Sequence, residues 1–247
     1  TVTGSNDIPV TVGTIANLTQ ADSTPVTIAT AGSFKDIDSG DVLTYSASGL
    51  PAGLTINATT GVISGTLDHS ASQGGTGGVY SITVTANDGH GGTVTQSFNV
   101  TATNPPPVAQ NDTGSVTEDA TSTVTAASGV ILGAGKDTDL DGDNLTVTDI
   151  RTGTEAGSGT AGTVGSVLHG TYGDLTLNSD GGYTYVANNA NALAAGVKAT
   201  DTFTYTVSDG QGGTDKAELA ISVTGSNDIP VTVGTIANLT QADSTPV

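Results

Sequence analysis

Along most of this chain, runs in which apolar and polar residues alternate are cut short by turns built on Asp and Gly. Little but antiparallel β-structure satisfies that pattern, because period-two alternation turns one face of an extended strand toward a core. The alternating runs are Val42 to Tyr45, Val79 to Ala86, and Val94 to Val100 with Phe98 facing inward. They continue at Leu145 to Ile150, Leu175 to Leu177, Tyr183 to Tyr185, Phe203 to Val207 and Leu219 to Val223. Between them stand Ser39-Gly40, Asn87-Asp88-Gly89, Asp141-Gly142, Asp180-Gly181-Gly182 and Asp209-Gly210. Asp and Gly favour such turns, Asp by bonding its own backbone and Gly by accepting positive φ. With 3 Phe, 6 Tyr and no Trp, the cores must be thin layers of Val, Ile, Leu and Ala. Many short strands at this spacing predict an all-β chain of β-sandwiches.

Pro105-Pro106-Pro107 cannot lie in a central strand and reads as a stiff connector. It divides the chain into a linker at 1–7, a first domain at 8–104, the proline linker at 105–107 and a second domain at 108–225. Residues 226–247 open another copy, because the 25 residues from Val2 to Val26 recur letter for letter from Val223 to Val247. Nothing in folding demands such identity, since cores and surfaces both tolerate substitution. Recent tandem duplication explains it, so the unit belongs to an array with a period of 221 residues.

Charge narrows the function. The formal net charge is −19, from 24 acids against 5 bases. Of the acids, 21 are Asp, the residue whose short side chain lets a loop close around a hard cation. Too few Lys and Arg are present to neutralise phosphates, which excludes nucleic acid as a partner. No apolar run approaches the length of a membrane span, so no membrane insertion is expected. The absence of Cys removes disulfides and thiolate metal sites. His69, His90 and His169 lack metal-ligand spacing, and no nucleophile–base–acid set stands out. We expect no enzymatic activity.

The densest chemical signal is DTDLDGD, Asp137 to Asp143. It resembles the opening of an EF-hand loop, but the twelfth position is Thr148 rather than Glu and neither flank is helical. A loop at a sheet edge, completed by carboxylates from neighbouring loops, fits better. The first domain has a counterpart in FKDIDSGD, Phe34 to Asp41, and both domains close on an Asp-Gly turn, TANDGHGG and TVSDGQGG.

These segments carry a family resemblance. The run Phe34 to Leu67, with ITVTANDGHGG from Ile82, resembles bacterial cadherin-like domains of the dystroglycan type, which are Ig-like. The second half is similar to VCBS repeat domains through QNDTGSVTED, DTDLDGDNLTVT, GTYGDLTLNSDGGYTYVAN and DTFTYTVSDGQGGTD. The resemblance implies two tandem Ig-like/cadherin-like β-sandwiches end to end, in the extender region of a giant RTX-type bacterial adhesin. Such a protein is exported by type I secretion, stands on the bacterial cell surface and serves attachment and biofilm formation. The cofactor implied is Ca2+, several ions held mainly at domain junctions. Carried over residue by residue, one junction takes Asn6, Asp7, Asp22, Asp36, Asp38 and Asp88, with Asn227 and Asp228 repeating the linker pair. The other takes Asn111, Asp112, Glu118, Asp137, Asp139 and Asp209, and the loop adds Asp141 and Asp143. The linker VTATNPPP departs from VTGSNDIP by placing Pro105 where Asp7 stands. The expected partners are neighbouring copies of the repeat, together with a strand-swapped dimer through the duplicated tail. A glycan- or protein-binding adhesive module is the alternative reading.

Overall fold

The computed structural model describes residues 4–38 and 40–229. The strand swap expected of the tail falls on 230–247, outside the described residues. The chain is all-β, as its alternation predicts. Nine strands form the first half: β1 (Val10–Thr11), β2 (Leu18–Ala21), β3 (Pro25–Ala29), β4 (Phe34–Lys35), β5 (Thr44–Ser48), β6 (Leu54–Ile56), β7 (Val62–Thr66), β8 (Val79–Asn87) and β9 (Thr93–Thr103). Eight form the second: β10 (Asp112–Thr117), β11 (Thr121–Val124), β12 (Thr146–Thr152), β13 (Val167–His169), β14 (Asp174–Leu177), β15 (Tyr183–Val186), β16 (Lys198–Ser208) and β17 (Thr214–Thr224).

The two halves repeat one topology. In the first, a sheet ordered β2-β9-β8-β5 faces a sheet ordered β3-β7-β6, with β1 paired to β4. In the second, β10-β17-β16-β12 faces β11-β15-β14-β13. Each half has its own core. Ile63, Ile82, Val84 and Val100 are fully buried in the first, and Leu175, Tyr185, Phe203, Tyr205, Leu219 and Ile221 in the second. Alternation sets this directly, since every second residue is buried from Ile82 to Ala86 in β8 and from Ala217 to Val223 in β17. The run at Val42 differs from expectation: the strand starts at Thr44, and Val42 is 72% exposed because the acidic loop ahead of it extends further than its composition suggests.

One feature of this topology governs everything at the ends of the domains. The first long strand of each half runs parallel to the last: β2 pairs with β9 from Leu18↔Val100 to Ala21↔Thr103, and β10 with β17 from Asp112↔Leu219 to Thr117↔Thr224. Parallel pairing sets the end of the first strand beside the exit of the chain. The residue after β2 therefore lies far from the entry linker. The 11 residues of β9 separate the two ends by roughly 35 Å at the usual rise of a strand.

Candidate metal centre

At the entry end of the first domain three segments meet. Asn6 donates its side-chain amide to Asp88 Oδ2 at 3.0 Å, and the Asp7 N–H donates to Asp38 Oδ2 at 2.7 Å. Asp38 N–H in turn donates to Asp36 Oδ1 at 2.8 Å. Carboxylate oxygens of Asp36, Asp38 and Asp41 lie within 4.8 Å of one another, with one Asp36 oxygen buried and unpartnered. Asp88 is held by the N–H groups of His90 and Gly92 at 2.7 and 2.9 Å. The Asn6 amide, then these backbone donors, keep its carboxyl below the usual range. Glycine is required at position 92, because a Cβ there would strike the Asp88 carboxylate and lie 3.0 Å from the Ile8 Cα.

The entry end of the second domain repeats the plan. Asn104 donates to Asp209 Oδ2 at 2.7 Å, and the Gln211 and Gly213 N–H groups hold Asp209 Oδ1 at 2.7 and 3.0 Å. A Cβ on Gly213 would strike Asp209 and lie 2.9 Å from the Pro106 Cα, the counterpart of Ile8. The Asp137–Asp143 loop closes over this turn. Asp139 Oδ1 accepts the N–H groups of Asp141, Gly142 and Asp143 at 3.1, 3.2 and 3.4 Å, and Asp137 Oδ1 that of Gln110 at 2.8 Å.

The free oxygens matter most. Asn104 Oδ1, one oxygen each of Asp137, Asp139 and Asp143, and both oxygens of Asp141 are buried without any hydrogen-bond partner. Buried polar atoms are normally satisfied, and buried charge without a partner is costly. Burial, then Asp139 and Asp143 nearby, pushes the Asp141 carboxyl up to about 7. Burial also raises Asp137 to about 7, with Asp112 adding to it. Asp143 is raised by burial, Asp139 and Asp209, and further by Asp22 of the other domain. These six oxygens are hard, buried and without a protein donor, the chemistry a calcium ion of six to eight oxygen ligands uses, and at the other end Asp36, Asp38 and Asp41 bring their oxygens within 4.8 Å of one another. The residues fit that ion.

Three expectations need correction. Asp22 does not join Asn6, Asp36, Asp38 and Asp88. It directly follows β2, its N–H donates to Thr103 O at 3.0 Å, and its carboxylate caps Ser72 N–H at the opposite end of the domain. It belongs with Asn104 and the Asp137–Asp143 loop, one domain downstream. Glu118 is likewise absent from the group of Asp137, Asp139 and Asp209. It directly follows β10, bonds Thr224 O through its N–H and holds Ser226 N–H at 2.8 Å, with its other oxygen buried and free. There it stands at the exit end, near the exposed linker residues Asn227 and Asp228. Parallel pairing is the cause in both cases.

Asn111 is also elsewhere, whereas Asp112 stands beside Asp137, whose carboxyl it helps to raise. Asn111 Oδ1 accepts the Glu218 N–H at 2.8 Å across the sheet. Asp112 is buried under the loop, taking the Tyr205 hydroxyl at 3.0 Å and Gly135 N–H at 3.3 Å, and burial raises it to about 6. The linker ligand missed in their favour is Asn104. Its signal is present: Asn6 and Asn104 each stand three residues before a Pro-Val pair. Asp41, beside Asp36 and Asp38, is the other addition, and His90 Nδ1 approaches it at 3.3 Å.

Comparison with known proteins agrees with this architecture. Residues 8–103 match the family model described as "Putative Ig domain", and residues 104–225 the one described as "Bacterial cadherin-like domain". No curated protein matches the chain. Among solved structures it is similar to Drosophila N-cadherin EC1-4, with 13% identity over 90% of this chain and 50% of that one, at a TM-score of 0.40. Mouse cadherin-23 EC22-24 is similar at 17% identity over 88% of this chain and 64% of that one, at a TM-score of 0.36. The chain thus spans half to just under two thirds of those cadherin fragments. By these two matches, residues 8–103 are similar to Ig-like domains and residues 104–225 to bacterial cadherin-like domains.

Proposed function

We propose that the chain is a calcium-stiffened extender repeat of a giant bacterial surface adhesin of the RTX type, its second domain a VCBS repeat. Copies joined end to end would hold distal ligand-binding domains away from the cell for attachment and biofilm formation. The observation that carries this reading is the group of buried, partnerless oxygens on Asn104, Asp137, Asp139, Asp141 and Asp143. Cadherin-like domains are typically extracellular and calcium-binding, and export by type I secretion would deliver the chain to a calcium-rich medium. Among the described residues no helix is long and apolar enough to cross a membrane.

The residues divide the work. Asp139 and Asp209 are fixed by backbone donors, which leaves Asp139 Oδ2 buried and unpartnered while Asp209 Oδ2 takes the Asn104 amide. Asn104 couples the linker to Asp209, and Asp22 contributes charge from the upstream domain. At the repeat boundary Glu118 would play the part of Asp22, against Asn6, Asp7, Asp36, Asp38, Asp41 and Asp88 of the following copy. A bound calcium ion supplies positive charge that turns repulsion among these carboxylates into a cross-link. Without it, each domain would pivot about three prolines.

Calorimetric titration of the intact chain with calcium tests the reading. Saturable binding is expected with a dissociation constant somewhere in the sensor-to-extracellular range of about 10⁻⁶ to 10⁻³ M. An absence of binding heat at millimolar calcium, with no displacement on adding chelator, would refute it.

A further inference from the structure

The two acidic ends differ by one compensated exchange. The entry linker of the first domain supplies Asp7, and the corresponding linker of the second supplies Pro105. Proline loses more than a carboxylate here. Asp7 donates its N–H to Asp38, the second Asp of its Asp-x-Asp pair, and proline has no N–H to donate. The equivalent residue in the second domain is Asp139, which nonetheless accepts a backbone donor from Asp141 at 3.1 Å.

Asp141 is also the one carboxylate that the second loop has and the first lacks. Gly40 and Gly142 both hold positive φ, at 117° and 84°, which aligns the loops as Ser39-Gly40-Asp41 against Asp141-Gly142-Asp143, with Leu140 inserted. The linker, acidic loop and closing turn therefore supply five carboxylates at each end: Asp7, Asp36, Asp38, Asp41 and Asp88 at one, and Asp137, Asp139, Asp141, Asp143 and Asp209 at the other. Asp141 is 7% exposed, and neither of its oxygens has a partner. For a turn-forming residue that is an unfavourable arrangement. For a ligand it is the required one.

We propose that Asp141 does at the proline-linked joint what Asp7 does at the repeat boundary: its N–H steadies the second Asp of the Asp-x-Asp pair, and its carboxylate completes the cation's oxygen set. The exchange lets this joint carry a stiff triproline linker without losing a ligand. The inference rests on the proposed calcium role.

The test follows calcium titrations of the intact chain by amide NMR. The Gly213 N–H, bound to Asp209, reports the proline-linked joint, and the Gly92 N–H, bound to Asp88, reports the other end. Asp141→Asn keeps the backbone donor and removes the charge. It is expected to raise the calcium midpoint at Gly213 by about tenfold or more while leaving Gly92 within about twofold. Adding Pro105→Asp to that variant should bring Gly213 back to within about threefold of the parent chain. Pro105→Asp alone, which leaves Asp141 in place, should shift Gly213 by less than about threefold, because the position is already served. An unchanged midpoint in Asp141→Asn, no recovery in the double variant, or strong tightening by Pro105→Asp alone would each overturn the exchange. A parent chain whose Gly213 signal ignores calcium would instead overturn the functional reading beneath it.

Discussion

In millimolar calcium the chain is expected to melt roughly 10 °C above its melting temperature in calcium-depleted buffer. An ion that binds only the folded state stabilises it by mass action, about 2.7 kcal/mol per site when present at a hundred times its dissociation constant. For a domain of this size each kcal/mol moves the midpoint by about 4–8 °C. The gain should be large because the site is preassembled. Asp139 and Asp209 already hold their geometry through backbone N–H groups, so little ordering entropy opposes binding. Repulsion among buried carboxylates is also relieved at the same moment. Scanning calorimetry in the two buffers measures it, and superimposable transitions would contradict the account.

The second large effect is a pH dependence of unusual sign. Most proteins lose stability in acid because their paired carboxylates must be protonated. Here burial raises Asp112 to about 6 and Asp137 and Asp141 to about 7, against an ordinary 3.8. A carboxyl with a raised folded-state pKa binds its proton more tightly folded than unfolded. Its contribution to stability is therefore present in acid and lost as pH rises from about 4 through about 7. In calcium-depleted buffer the melting temperature should fall by at least about 5 °C between pH 5 and pH 8. In millimolar calcium the trend should reverse, because protons and the ion compete for the same oxygens. Melting curves at the two pH values, with and without calcium, check both signs at once.

How far the sequence alone reaches can be seen residue by residue. Strands β8, β9, β16 and β17 are legible because long alternating runs such as Leu219 to Val223 admit no other structure. Strands β2 and β11, LTQA and TSTV, are not, since four residues with a single large apolar side chain carry too little contrast to define a face. The acidic loops are legible as sites because Asp137 to Asp143 concentrates charge beyond what a turn needs. What local sequence could not give is which end of a domain each acid occupies. Asp22 and Glu118 look like neighbours of the entry linkers that precede them. Only the parallel pairing of β2 with β9, and of β10 with β17, carries them to the exits. Pairing direction depends on partners about 80 to 100 residues away and leaves no trace in the strand itself. Asn104 was hidden differently. Its proline neighbours draw attention to stiffness, whereas its amide makes the same bond to Asp209 that Asn6 makes to Asp88.

If calcium stiffens the joint between the two domains, the chain should lengthen when the ion binds. Small-angle scattering on the intact chain tests it most directly. In millimolar calcium the account predicts a single elongated particle with a maximum dimension of about 90 Å, two sandwiches of about 40–50 Å in line. In calcium-depleted buffer the same chain should give a broader distribution with a shorter mean extension, as the domains pivot about the proline linker. Identical distance distributions in the two buffers would contradict it.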